Sequence, residues 1–483
     1  MDREMELLLR SDPAAFESLI SQLMSSENEK RSQAEVLYNL CREHHPDALA
    51  LKLGHVLHSS QSLEIRAMAA VLLRKQLTYS SGGSVADESP SYLWPRLTPA
   101  TQSSVKSLLL SAVQREGQKT IAKKLCDTIS ELAANLLPDN AWPELLPFMF
   151  QAVTSDSPHL QESSLLIFSQ LAQYIGDILL PHLTTLHSVF LNSLSHSVSA
   201  DVRIAALGAS INFVQWLEST ADRERFQDLL PAMMRTLTEA LNSGNEATAQ
   251  EALELLIELA GTEPRFLRRQ LADVVGSMLQ IAEADQLEEG TRHLAVEFVI
   301  TLAEARERAP GMMRRLPQFI GRLFAILMKM LLDIQDEPAW HGAETEDEDA
   351  GETSNYSVGQ QCLDRLSIAL GGNTIVPVAS ELLPQYLAAP EWQKRHAALI
   401  TLAQIAEGCA KVMIKNLEQV VSMVLASFRD PNPRVRWAAI NAVGQLSTDL
   451  GSDLQVHYHQ QVLPALASAM DDFQNPRVQK TRK

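Results

Sequence analysis

A thirteen-residue pattern that returns along the chain constrains the fold more than any other feature. Its blocks begin at Ile65, Ile121, Leu160, Val202, Thr248, Thr291, Lys394 and Val435, as in IRAMAAVLLRKQL, VRIAALGASINFV and KRHAALITLAQIA. The fifth position is small at Ala69, Ser164, Ala206, Ala252, Ala295, Ala398 and Ala439, with Leu125 the exception. The sixth is apolar throughout: Ala70, Cys126, Leu165, Leu207, Leu253, Val296, Leu399 and Ile440. Most successive starts lie 39 to 46 residues apart. A helical hairpin of this kind cannot bury its apolar face alone, so it stacks on the next, and a small residue at a fixed place lets helix backbones approach.

Upstream of the blocks, Leu-Pro recurs at Leu146, Leu180, Leu230, Leu316, Leu383 and Leu463, each followed by an amphipathic stretch. Proline is tolerated in a helix's first turn, where its missing N–H has no partner to lose. Each unit therefore reads as a proline-started first helix, a turn, and a small-residue second helix. No strand alternation competes with this reading, and the period is that of two-helix HEAT and armadillo repeats. The expected class is an all-α HEAT-repeat solenoid.

Two steps exceed the period. Ile65 to Ile121 contains TYSSGGSVADESPSY, a Gly, Ser and Pro-rich loop at 78–92. Thr291 to Lys394 spans 103 residues, holds a further second-helix block from Val358, and leaves an acidic insertion at 336–357. The expected organisation is N-terminal repeats over 1–335, the insertion, mid-array repeats over 358–473, and a truncated repeat with a basic tail over 474–483. The last of these rests on DFQNPRV at Asp472 to Val478, which repeats the Pro-Arg-Val of PNPRVRW before the chain stops at QKTRK.

Charge narrows the function. With 41 basic and 59 acidic residues the net charge is -18, which repels phosphate backbones and favours basic partners, so direct nucleic-acid binding is disfavoured. Cys41, Cys126, Cys362 and Cys409 form no CxxC pair, which fits a reducing compartment and suggests neither disulfides nor zinc. The N-terminus lacks the apolar core of a signal peptide, and the apolar run Ile320 to Ile334 is interrupted by Arg322, Lys329 and Asp333 and is too short to span a bilayer. No P-loop, nucleophile elbow or HExxH motif is present, and His44, His45, His457 and His459 read as surface histidines rather than metal ligands. The expectation is a soluble non-enzyme without cofactor or metal.

Two groups remain as candidate sites. Glu344, Glu346, Asp347, Glu348, Asp349 and Glu352 concentrate negative charge in the insertion; such a run is either a solvated spacer or an electrostatic clamp for a basic partner, and its mid-array position favours the clamp. Trp392, Trp437 and Asn441 lie on second helices, Asn441 one turn after Trp437. They are either packing at the repeat seam or a recognition surface, with an indole stacked on a cationic side chain and an amide holding peptide backbone. Asp430, Arg434 and Arg436 read as an inter-repeat ladder.

The strings RDPNPRVRWAAINAVGQLSTD, APEWQKRHAALITLAQIAEG and EDEDAGETSNYSVGQQCLDRLS resemble the importin-beta superfamily of nuclear transport receptors, most of all its importin beta-3 branch, over essentially the whole chain through Val478. The resemblance implies a right-handed superhelix of antiparallel helix pairs with basic protein cargo on the inner, concave face. It implies binding of Ran-GTP by the N-terminal repeats, helped by an acidic loop that maps onto Glu344 to Glu352. Phe-Gly nucleoporins would bind between first helices on the outer face. Trp392 and Trp437 match inner-face tryptophan positions. A monomer shuttling between cytoplasm and nucleus through the pore is implied. A HEAT-repeat scaffold or adaptor without transport activity is the alternative, and family members continue past Lys483.

Overall fold

The computed structural model describes residues 13–78, 92–196, 198–305, 309–342 and 348–479, and among these the regular structure is helical with one isolated bridge, Ile334 to Glu352. The chain divides into two compact units, Met1–Thr236 and Leu237–Lys483.

The first unit contains α1 (Pro13–Leu23), α2 (Asn28–His44), α3 (Pro46–Ser59), α4 (Leu63–Leu77), α5 (Pro99–Arg115), α6 (Lys119–Leu136), α7 (Leu145–Val153), α8 (Pro158–Leu179), α9 (Leu183–Leu194) and α10 (Ala200–Trp216). The second helices α4, α6, α8 and α10 stack in order, each backed by its own first helix. Helix starts are chemically marked: Ser62 and Ser199 accept hydrogen bonds from Ile65 N and Val202 N, satisfying donors the helix leaves free.

The boundary between the units falls within α11 (Leu230–Asn242). The second unit continues with α12 (Glu246–Thr262), α13 (Leu271–Glu283), α14 (Glu289–Glu304), α15 (Pro317–Met330), α16 (Ser354–Leu370), α17 (Gly372–Leu387), α18 (Trp392–Gln404), α19 (Ala406–Met413), α20 (Leu417–Ser427), α21 (Pro433–Asp449), α22 (Gly451–Met470) and α23 (Pro476–Gln479). Here α12, α14, α16, α18 and α21 form the second-helix stack. Asn245, Thr353 and Asn432 cap α12, α16 and α21.

The small fifth positions do what the spacing predicts. Ala69, Ala206, Ala252, Ala295 and Ala439 are fully buried, as is the exceptional Leu125. The run around Ile320 is core, with Ile320, Leu323, Phe324 and Leu327 buried, and no single described helix is long and apolar enough to cross a membrane. The four cysteines are buried and unpaired.

The proline rule needs correcting. Pro231 and Pro317 open helices as expected, but Pro384 lies inside α17 and Pro464 inside α22. An internal proline forfeits one backbone hydrogen bond. In these two units a helical lead-in joins the preceding turn to the first helix, so the Leu-Pro signal marks a position within the helix rather than its start.

Candidate functional site

The segment between α15 and α16 is anchored at both ends. Gln335 N donates to Gly351 O at 2.8 Å, beside the Ile334 to Glu352 bridge. Gly351 has φ +89°, and a Cβ there would meet Gln335 backbone and the Arg434 guanidinium, so only glycine lets the two limbs close. Thr353 Oγ1 donates to Asp333 O at 2.8 Å, completing the clasp.

Between these limbs Trp340 is driven into the protein, only 1% exposed. Arg434, equally buried, stacks its guanidinium 4.5 Å from the Trp340 ring centre, and Arg477 approaches the same ring at 5.9 Å while its Nε donates to Trp340 O at 2.9 Å. Trp437 meets Trp340 edge-on at 5.9 Å. Among the described residues the Arg434 guanidinium donates into the insertion: Nε to Asp336 at 3.3 Å and Nη2 to Ala350 O. Burial lowers its pKa, while Asp336 and Glu352 act in the opposite direction.

Arg434 therefore does not join the ladder predicted for it. The ladder is carried by its neighbours. Arg395 makes a bidentate pair with Asp430, at 2.7 and 3.0 Å, and Arg436 reaches Asp472 at 2.7 Å while donating to Asp430 O. These charge-assisted, half-buried bonds join successive repeats at the helix starts.

The candidate residues fall into distinct places. Glu348 and Asp349 are exposed, and Glu344, Glu346 and Asp347 lie outside the described residues. Glu352 is half-buried in the stem; burial first and then Asp349 push its pKa up from 4.5 to about 7, against the pull of Arg434. Trp392 is half-buried, edge-on to His396 at 6.0 Å and 5.8 Å from the Arg434 guanidinium. Burial, and then the nearby Arg434 charge, push the enclosed His396 down to about 3, so it is neutral. Trp437 and Asn441 are half-buried on α21; Asn441 Nδ2 donates to Trp437 O at 3.1 Å, and its Oδ1 has no partner among the described residues.

One constellation escapes sequence reading. Asp364 on α16, Glu407 on α19 and Asp449 at the end of α21 lie 43 and 42 residues apart, one acid per repeat. The Asp364 pKa is raised by burial and then by the charges of Glu407 and Asp449, so Asp364 lies in the field of the other two carboxylates. No ion pair is found for any of them among the described residues; Asp449 accepts only from Gln445, at 2.9 Å. Along α21, Trp437, Asn441, Gln445 and Asp449 follow at four-residue steps, linking the tryptophan to the carboxylates. The signal that would have found the set is an acid recurring at the repeat period.

Stacked helical hairpins of this period, with small residues at the seams and one acid presented by each of three successive repeats, define a HEAT-repeat protein of the solenoid class. Residues 117–277 match the family described as IPO5-like, TPR repeats, residues 284–377 match the Importin repeat, and residues 392–446 match the HEAT-like repeat. The chain resembles the importin-beta superfamily along nearly its whole length. It is 28% identical to importin subunit beta-3 of Saccharomyces cerevisiae, over 95% of this chain and 42% of that protein. The crystal structure of Kap121p bound to RanGTP superposes with TM-score 0.82 at 27% identity, over 99% of this chain and 44% of the other. A Kap121p variant with three acids changed to lysine superposes with TM-score 0.83 at 26% identity, over 97% of this chain and 44% of the other. The chain thus spans less than half the length of these relatives.

Proposed function

We propose that this chain carries basic protein cargo for nuclear import and is regulated by Ran-GTP. The observation that carries the reading is the set Asp364, Glu407 and Asp449: the negative charge of the other two falls on half-buried Asp364, and a cationic partner relieves it most directly. The acids substituted in the Kap121p variant are separated by 43 and 42 residues, the same intervals as these three. Trp392, Trp437 and Asn441, on second helices α18 and α21, extend this surface and supply stacking and amide contacts to a bound segment.

The partner class follows from charge and from relatives. A net charge of -18 steers basic segments such as localisation signals, ribosomal proteins or histones, with affinity that falls as salt rises. Kap121p has been crystallised with RanGTP. In this chain Glu348, Asp349 and Glu352, with Glu344, Glu346 and Asp347, form the acidic contact for Ran. Between first helices α17 and α20 a cavity of about 120 Å³, lined by Leu383, Leu402, Val420 and Met423 with Ser380 and Asn416 beside them, suits a phenylalanine of a Phe-Gly nucleoporin. The chain works as a monomer that shuttles between cytoplasm and nucleus through the pore, and performs no catalysis. Retention of GTP-locked Ran over the GDP form in a pull-down is the expected result, and equal retention of the two contradicts the reading.

A further inference from the structure

Glu407 is followed by Gly408, and Gly408 sits where α19 crosses the last turn of α16. A Cβ on Gly408 would overlap the carbonyl group of Ser367 and stand 2.5 Å from the amide nitrogen of Ile368. Those are backbone atoms of a helix interior, which cannot move aside as a flexible side chain would. Ser367 and Ile368 are three and four residues after Asp364 on the same helix, so the crossing lies one turn beyond that carboxylate. The same crossing is tight on its other side, where a Cβ on Gly372 would lie 2.8 Å from Val412 Cγ2 and 3.1 Å from Cys409 Cα.

We propose that Gly408 is a positioning residue: backbone contact between α19 and α16, possible only without a Cβ, holds the Glu407 carboxylate beside Asp364 so that one lysine ammonium of the cargo faces both. The inference rests on the reading of these acids as the cargo site. Two carboxylates held together are costly when no cation is present and bind a shared cation strongly. Asp364 is half-buried and Glu407 exposed, which leaves the pair open on the side an ammonium would enter. The Asp364 pKa already registers Glu407, after burial, as its largest neighbouring charge. A larger residue at 408 would lift α19 off α16 and carry Glu407 away while leaving the number of charges unchanged.

The test uses the full chain, a fluorescein-labelled peptide of alternating lysine and glycine, and three variants. Glu407→Gln removes the charge, Glu407→Asp keeps it but withdraws it by one methylene, and Gly408→Ala moves the helix. Affinity is read by anisotropy, and the Asp364 titration midpoint by the pH dependence of the Ile368 methyl shift, four residues along the same helix. The expected result is a loss of about fivefold in affinity for all three, as for one partly exposed charge pair, with the midpoint lowered in each. If Gly408→Ala and Glu407→Asp bind as the unaltered chain does, with an unmoved midpoint, while Glu407→Gln weakens binding, the positioning role is overturned and the cargo reading survives. If Glu407→Gln binds normally, the cargo reading falls and the proposal with it. Should Gly408→Ala fail to fold by circular dichroism, Glu407→Asp decides alone.

Discussion

The guanidinium of Arg434 lies 4.5 Å from the centre of the Trp340 ring, joining the start of α21 to the insertion that precedes α16. Both residues are 1% exposed, and the polar partners of Arg434, Asp336 and Ala350, also come from the insertion. The stem of the acidic insertion is therefore a packed part of the second unit.

Truncating Trp340 to alanine removes the ring that Arg434, Arg477 and Trp437 all touch. The expected cost is about 3 kcal/mol or more, the usual scale for deleting a buried aromatic side chain. Urea denaturation measures it. Hydrogen exchange should show the loss concentrated at 348–353 and at the start of α21, with the first unit unchanged.

Replacing Arg434 by methionine keeps apolar bulk but strands the Ala350 carbonyl and leaves Asp336 to His341, whereas replacing Arg436 by methionine breaks a pair that is only partly enclosed. Asp336 is 45% exposed, so solvent recovers part of the first loss. The variant at 434 should free the insertion stem, seen as faster amide exchange at Gln335, and leave the Asp472 turn intact. The variant at 436 should do the reverse.

The stem should loosen as pH rises. Glu352 titrates near 4.5 unfolded and at about 7 folded, so between those values the folded stem holds a proton that the unfolded chain has lost. Its contribution is most favourable on the acid side, declines as pH climbs from about 4.5 to about 7, and is flat above. Glu352→Gln should remove the slope and stabilise the stem at pH 8. Amide exchange at Gln335 across that range is the measurement, and a slope that survives the substitution contradicts the assignment.

Much of the fold was legible in the sequence because one residue type does one job at each repeat. Ala206, Ala252 and Ala295 are buried where the spacing places them, since helix approach admits nothing larger. Pro384 and Pro464 misled because packing holds a helix across a proline when a lead-in extends it, which local preference does not reveal. Trp340 was hidden by its acidic neighbours: charge predicts solvation of a segment, yet a lone indole within it drives the backbone inward. Arg434 and Arg436 look alike in PRVRW, but two residues turn a helix by about 200°, so one side chain enters the insertion and the other reaches the next repeat. The acids Asp364, Glu407 and Asp449 passed unnoticed because each is ordinary in its own helix and only stacking assembles them.

The cargo site is tested most directly by the affinity of a lysine-rich peptide for the chain, compared with the triple variant Asp364→Asn, Glu407→Gln, Asp449→Asn at low and physiological salt. The expected result is a loss of about a hundredfold at low salt, roughly fivefold for each partly exposed charge, a flattened salt dependence, and unchanged binding of Ran-GTP. Equal affinity of the two proteins, with the same salt dependence, would contradict the claim that these carboxylates hold cargo.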